Sequence, residues 1–444
     1  MSVSIFGTDG VRGTPGEPPL DERTIIRLGA ATARILEPGR PRLLVARDTR
    51  ESGPWIERCL AAGVAAADGS LVSVGVTPTP AAAFLTASQG FDAGFVISAS
   101  HNPFPDNGIK VLTADGVKAS DELETQLSAA IADGSWPSPV VPADAPEMQD
   151  MTAGYVARLR DVFSESNRWK PGRIAVDCAN GSTSVVAPLV LRQLGFDVIA
   201  LNVEPNGQNI NDGCGSTHPE GLQRVVREQK CPLGVAFDGD GDRAILVDGD
   251  GEVVDGDAVL YIYATYLASQ GRLPGRAVVA TVMSNMGLEV ALRDAGVAMH
   301  RCPVGDRSVF EEMRRRGAVV GGEQSGHIIF SQVLPTGDGL LTALSVLSVM
   351  NETGRELAEL RRGLRVFPQV LVNVPVRAKP ALETEPTIVK AIQNAQDVLG
   401  TEGRVLVRYS GTEPLLRVMI EGREEATVDT LAKMIAEEVQ VRLG

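Results

Sequence analysis

The sequence predicts a multidomain α/β protein that ends in a smaller α+β domain. Three observations predict it. Short apolar runs at 43–46, 71–75, 94–98, 174–177, 198–201, 233–237, 277–281 and 319–321 alternate with helical segments, the pattern of sheets interleaved with helices. These runs lack strict apolar–polar alternation, so both faces of the strands should be covered. At 444 residues the chain exceeds one ordinary core and corresponds to three or four units of ~100–150 residues.

Composition agrees. Apolar residues make up 43% and aromatic ones only 4%, which favours small-residue helix–sheet packing over an aromatic all-β core. The net charge of −14 argues against a nucleic-acid or anionic-membrane partner, yet leaves room for an anionic small substrate held by a local cluster of Arg, Lys and N–H groups. The five cysteines, Cys59, Cys178, Cys214, Cys231 and Cys302, form no C-x-x-C pair. Reduced, buried thiols in a cytoplasmic protein are expected. No signal peptide is expected at the N-terminus, and the apolar segment from Leu340 to Met350 is too short for a membrane span and reads as a buried helix.

Along the chain, 134–150 is rich in Pro and acid and reads as a linker. Gly249–Gly251 reads as a hairpin turn between 245–247 and 252–254. After 363–368 comes an alternating strand at 370–374, a helix near 384–399, strands near 404–408 and 415–420, and a last helix from about 426. The expected domains are 1–150, 151–253, 254–366 and 367–444. A weak repeat supports similar units: 191–198 resembles 292–299, with 60–64 a looser echo, each read as a helix, a Gly C-cap and a strand.

Four loops carry the chemistry. Asp238-Gly239-Asp240-Gly241-Asp242-Arg243 follows the 233–237 strand, the place where open α/β sheets bind ligands. Three carboxylates at alternate positions converge if the glycines let the loop curl, and they leave open positions on an octahedral Mg²⁺. An EF-hand is excluded because its sixth and twelfth positions would be Arg243 and Gly249. Arg243 either offsets the acids or binds substrate. The second loop is Ser98-Ala99-Ser100-His101-Asn102-Pro103, followed by Asn107-Gly108-Ile109-Lys110. A serine that carries a phosphoryl group needs a nearby metal and a proton relay, for which His101 and Lys110 are local candidates. Alone, this loop is only a polar turn.

The third loop is Gly321-Gly322-Glu323-Gln324-Ser325-Gly326-His327. Glu323 and Ser325 suit adjacent sugar hydroxyls and His327 suits proton transfer, although a Gly-rich turn with a satisfied His fits the spacing equally. The fourth, Arg408-Tyr409-Ser410-Gly411-Thr412-Glu413-Pro414, offers Arg, hydroxyls and free N–H groups to a phosphate monoester; a capped turn competes. Near the start, Arg12 in Phe6–Gly13 could contact phosphate, and Pro303-Val304-Gly305-Asp306-Arg307 is a similar charged turn. His218 and His300 have no comparable context.

Taken together, these loops resemble those of the α-D-phosphohexomutase superfamily along the whole chain, in order: S-x-S-H-N-P, D-G-D-G-D-R, G-E-x-S-G-H and R-x-S-G-T-E-P. The stretches 6–13, 214–219 and 322–329 resemble the branch that acts on glucosamine phosphates, whereas phosphomannomutase and phosphoglucomutase relatives more often have Met at the position of Gln324. Tyr409 departs from the pattern, where Pro is common. The resemblance implies four domains around a central cleft: three similar α/β sandwich domains and a smaller C-terminal α+β domain. It implies Ser100 as phosphoserine and one Mg²⁺ per subunit on Asp238, Asp240, Asp242 and an oxygen of that phosphate. Glu323 and Ser325 would hold sugar hydroxyls, and Arg408, Ser410, Gly411 and Thr412 the non-reacting phosphate. The implied reaction interconverts glucosamine 6-phosphate and 1-phosphate through glucosamine 1,6-bisphosphate, supplying UDP-N-acetylglucosamine synthesis; glucose or mannose phosphates are the alternative substrates. A homodimer is left open.

Overall fold

The computed structural model describes residues 5–7, 9–36, 39–133, 144–164, 172–410 and 414–444. Contacts divide the chain into two units, Met1–Val282 with His300–Arg361 and Met283–Met299 with Arg362–Gly444.

The first unit is built on mixed sheets. One has the order Val11–Gly13, Asn107–Thr113, Ala93–Ile97, Arg42–Arg47, Ser70–Val76, Glu147–Met148, parallel among the middle strands and antiparallel at Val11–Gly13 and Asn107–Thr113. Its strands are covered on both faces, as the lack of alternation predicts. Leu43 and Val45 pack among Ile25, Ile56 and Leu60, while Leu44 and Ala46 pack among Leu85, Phe91 and Val96. The second sheet orders Val253–Val254, Ala244–Asp248, Leu233–Phe237, Arg173–Asp177, Asp197–Leu201 and contains the expected hairpin. The third orders Ala298–Cys302, Ala277–Thr281, Val320–Gly322, Ile328–Phe330.

In the second unit, Gln369–Pro375, Leu415–Gly422 and Gly403–Tyr409 form an antiparallel sheet. Leu416, Val418 and Ile420 pack with Ile388 of the Pro386–Leu399 helix and with Val428 and Ile435 of the Glu425–Leu443 helix. The α+β tail read from the sequence is therefore present. Part of the 134–150 linker, residues 134–143, lies outside the described residues.

The repeat needs one correction. Gly195 and Gly296 end helices with φ of 90° and 70°, the C-caps expected. Gly63 does not; it sits inside the Gly53–Ala66 helix. There a Cβ would lie 1.9 Å from the Ile26 carbonyl oxygen, and reciprocally a Cβ on Gly29 would lie 2.6 Å from that of Leu60. The two glycines let the Glu22–Leu36 and Gly53–Ala66 helices cross almost backbone to backbone.

The apolar segment from Leu340 to Met350 lies in the buried Gly339–Thr353 helix, and among the described residues no helix is long and apolar enough to cross a membrane. The start of this helix abuts the three-aspartate loop: Gly339 N–H donates to the Gly241 carbonyl at 3.0 Å. Asp338 caps it, accepting from Leu341 N–H at 2.9 Å and from the Tyr155 hydroxyl at 2.8 Å. Burial pushes the Asp338 carboxyl up to about 6 despite these donors. All five cysteines are free and buried, and burial pushes the thiols of Cys59, Cys178 and Cys214 up to about 12 and that of Cys302 up to about 11.

Two predictions follow from helix packing and capping. Gly63→Ala should lower the melting temperature, with overpacking of roughly 1–3 kcal/mol exceeding the ~1 kcal/mol gain in helix propensity; a rise in melting temperature would contradict the close crossing. For Asp338, a folded pKa above the ordinary carboxylate value gives stability that is full at low pH and lost as pH rises through about 6. In metal-free protein, Asp338→Asn keeps the cap and removes that loss, so it should exceed wild type by on the order of 2 kcal/mol near neutral pH and not at about pH 4. Denaturant titrations at both pH values check this, and a pH-independent difference would refute it.

Candidate functional site

The serine loop leaves the Ala93–Ile97 strand and turns at Ser100, whose φ of 52° is uncommon for a residue with a Cβ. The turn aims Oγ at Asp238, to whose Oδ2 it donates at 2.5 Å. The loop and the aspartate loop interlock closely: a Cβ on Gly239 would lie 2.6 Å from the Ser100 carbonyl oxygen. His101 Nδ1 lies 3.3 Å from Ser100 Oγ and 3.1 Å from Arg243 Nη1. A guanidinium only donates, so Nδ1 accepts and the proton of the neutral ring sits on Nε2. Burial, then Arg243 and Arg12, push the His101 pKa down, which keeps the ring neutral.

Asp238, Asp240 and Asp242 are buried, and one oxygen from each lies within 4.8 Å of the others. Lys110 enters this cluster with its side chain 1% exposed; Nζ lies 2.8 Å from Asp240, 3.2 Å from Asp242 and 3.4 Å from Asp9. Burial opposes its charge, but these carboxylates outweigh burial and raise its pKa well above the ordinary value. Lys110 is therefore an ammonium. Asp242 is likewise held well below the usual carboxylate range, against burial, chiefly by Lys110. Asp238 lies farther from that charge, and burial with Asp240 and Asp242 raises its pKa well above normal. Thr79 donates to Asp240 Oδ2 at 2.7 Å. Asp240 Oδ1 is buried without a hydrogen-bond partner, and Asp242 Oδ1 meets the His327 ring only at a long 3.5 Å. One unpartnered and one weakly held carboxylate oxygen on converging side chains fit a hard divalent cation.

A cavity of about 580 Å³ opens beside the cluster, lined in part by Asp9, Arg12, His101, Lys118, Asp242, Arg243, Asp306, Glu323 and His327. The site thus gathers Arg12, His101, Arg243, Glu323 and His327 at one cavity, with Ser100 and Lys110 buried at its edge. Glu323 Oε1 accepts from Gly305 N–H at 3.1 Å. Ser325 is exposed and is not among the lining residues. Gln324 bonds instead to Asp255 at 3.1 Å. His327 is engaged on both sides: Nε2 accepts from Gly337 N–H at 3.1 Å, and Nδ1 faces Asp242 Oδ1 at 3.5 Å. Burial opposes its charge, but Asp242 pushes its pKa up.

Of the phosphate-loop residues, Arg408 is exposed on the Gly403–Tyr409 strand, and buried Ser410 follows it, its carbonyl accepting from Lys379 at 2.6 Å. Gly411 and Thr412 lie outside the described residues.

Sequence reasoning missed several members. Asp9 binds Arg12 and Lys118, and Lys118 binds Asp306. Asp9 and Asp306 lie in the charged Gly-containing turns at 6–13 and 303–307, but Lys118 has no local signal. Arg50 and Asp48 follow the Arg42–Arg47 strand, and strand-end position was the one available hint.

A convergent acidic cluster that fits a cation, a buried serine bonded to it and a cavity lined by both cations and carboxylates, all at strand ends of repeated α/β domains, define a phosphoryl-transfer enzyme. Known families agree. Residues 3–137, 153–251 and 255–366 match the models for phosphoglucomutase/phosphomannomutase α/β/α domains I, II and III, and 371–438 matches that for the C-terminal domain. The chain belongs to the phosphoglucomutase/phosphomannomutase family and is a phosphohexomutase. It is 45% identical to the phosphoglucosamine mutase of Syntrophotalea carbinolica, over 100% of this chain and 99% of the relative. It is 46% identical to that of Koribacter versatilis, over 99% and 97%. Among solved structures, a phosphoglucomutase/phosphomannomutase family protein from Burkholderia thailandensis superposes with a TM-score of 0.80 at 26% identity, covering 99% of this chain and 97% of that one.

If these aspartate oxygens hold a cation, millimolar Mg²⁺ should raise the melting temperature of chelator-treated protein. Asp240→Asn, which turns one of these carboxylates into an amide, should abolish most of that rise. An equal rise in both proteins would place the cation elsewhere.

Proposed function

We propose that the protein interconverts glucosamine 6-phosphate and glucosamine 1-phosphate, with Ser100 as a reversible phosphoryl carrier. The observation that carries this reading is the 2.5 Å bond between Ser100 Oγ and the aspartate cluster, next to a cavity that contains both cations and Glu323. Identity of 45% and 46% to full-length phosphoglucosamine mutases supports the substrate.

In the first half-reaction the P–Oγ bond of phosphoserine breaks and a bond from phosphorus to a sugar hydroxyl oxygen forms. That hydroxyl's proton passes to a base, the leaving Ser100 Oγ takes up a proton, and the product is glucosamine 1,6-bisphosphate. In the second, Ser100 Oγ gives up its proton to the base as it takes the other phosphoryl group, and the departing sugar oxygen recovers a proton. His101, neutral and 3.3 Å from Oγ, suits the base. Lys110, an ammonium, suits charge stabilisation instead. Arg12 and Arg243 would bind the phosphoryl oxygens. Glu323 and Ser325 would hold sugar hydroxyls, and Arg408, Ser410, Gly411 and Thr412 the non-reacting phosphate. One Mg²⁺ per subunit, held by Asp238, Asp240 and Asp242 with a phosphoserine oxygen, would withdraw charge from the transferring group. His327, fixed between Gly337 and Asp242, suits orienting that carboxylate better than shuttling a proton. The domains 1–150, 151–253, 254–366 and 367–444 would each contribute one loop. The setting is the cytoplasm, supplying UDP-N-acetylglucosamine synthesis.

Intact-mass analysis should find one phosphate, on Ser100, and Ser100→Ala should lose activity by at least about 10³-fold. The kcat/KM for glucosamine phosphates should exceed that for glucose phosphates. Full activity in Ser100→Ala would refute the carrier; preference for glucose 1-phosphate or mannose 1-phosphate would favour the alternative substrates.

A further inference from the structure

Behind the serine loop lies a charged side chain that the mechanism above does not use. Arg50 is 1% exposed and is not among the residues lining the cavity. A guanidinium has five N–H donors in a fixed plane, and here each meets an acceptor. Nε donates to Asp48 Oδ2 at 2.9 Å, Nη1 to the carbonyls of Pro103 and Asp106 at 2.5 and 2.9 Å, and Nη2 to those of Ser100 and Asn102 at 3.1 and 2.8 Å. One side chain thereby fixes four carbonyls between residues 100 and 106.

The same brace reaches the Ser100 amide by a second route. Asp48 Oδ2 accepts from Ser98 Oγ at 2.6 Å, and Ser98 Oγ accepts from Ser100 N–H at 2.9 Å. Both peptide groups flanking Ser100 are therefore tied to the Asp48–Arg50 pair. Asn211 Nδ2 adds bonds to the Ser100 and Asn102 carbonyls at 2.9 and 3.1 Å. This bonding surrounds a residue held at φ 52°, a conformation that persists only where its surroundings over-determine it. A return to negative φ would swing Oγ away from Asp238.

We infer that Arg50 is the positioning residue of the phosphoryl carrier: it holds the Ser100 backbone so that Oγ occupies one place as donor and as acceptor. The inference rests on Ser100 being the carrier. Arg50 touches no reacting atom, so its effect falls on transfer and not on sugar-phosphate binding. Lysine cannot substitute, because three donors on one nitrogen cannot span five separated acceptors.

The test uses the full chain. Phosphorylated protein is mixed with glucosamine 1-phosphate, and loss of protein phosphate is followed over a single turnover, normalised to phosphorylated molecules. Arg50→Lys should transfer about 10²-fold more slowly, the cost of a misplacement of about 1 Å, with KM within about twofold of wild type. Guanidinium ion should restore at least tenfold to Arg50→Ala. Ser98→Ala, a lighter break in the same brace, should slow transfer roughly tenfold and keeps the test decisive if the Arg50 variants do not fold. Wild-type transfer rates per phosphorylated molecule in Arg50→Lys, or in Ser98→Ala where that variant stands alone, would overturn the inference. Failure of the carrier reading looks different: wild-type protein would then carry no phosphate on Ser100.

Discussion

The site depends on one ammonium group buried among carboxylates. Three aspartates on alternate residues of one loop repel each other, and out of water that repulsion is poorly screened. Lys110, from the strand Asn107–Thr113, places its charge between Asp240 and Asp242 and within reach of Asp9. Removing one partner of such a cluster leaves an uncompensated buried charge, which is far costlier than the net value of the pair. The lysine thus joins the first α/β domain to the aspartate loop of the second. It also leaves Asp240 Oδ1 unpartnered and Asp242 Oδ1 facing only the His327 ring at 3.5 Å, so the loop stays folded while still able to accept a cation.

Around that charge the loops are held by backbone contacts more than by side-chain packing. Gly239 approaches the Ser100 carbonyl too closely for any Cβ. Gly339 N–H bonds to the Gly241 carbonyl. Thr79 N–H and Oγ1 both bond to Asp240. Each contact fixes a peptide group, and peptide groups move only with their whole loop. Geometry at the serine is therefore set by segments far apart in sequence, most of them ending a strand or starting a helix.

Much of this was legible in the sequence. Strands covered on both faces produce unbroken apolar runs, so 43–46, 174–177 and 233–237 were readable as strands, and loops at their ends as candidate sites. Asp238, Asp240 and Asp242 announced themselves by spacing. Lys110 was readable as a neighbour of Ser100 but not as the counter-ion of the aspartates, because that contact spans 130 residues. Lys118 carried no pattern and Arg50 only its place after a strand; apart from Asp48, their partners are acids and carbonyls brought close by the fold. Gly63 misled for a related reason: a glycine that ends a helix and one that lets two helices touch are identical in sequence, and only the Ile26 carbonyl distinguishes them.

The cysteines have a practical consequence. Every thiol is buried, and those of Cys59, Cys178, Cys214 and Cys302 stay protonated far above physiological pH. Reaction with maleimides requires an accessible thiolate, so the native chain is nearly silent to such reagents. A single cysteine introduced on the surface could therefore take a fluorophore or spin label in the otherwise unaltered enzyme. Loop movements during turnover could then be followed by spectroscopy, with no need to rebuild the packed interior around substituted cysteines.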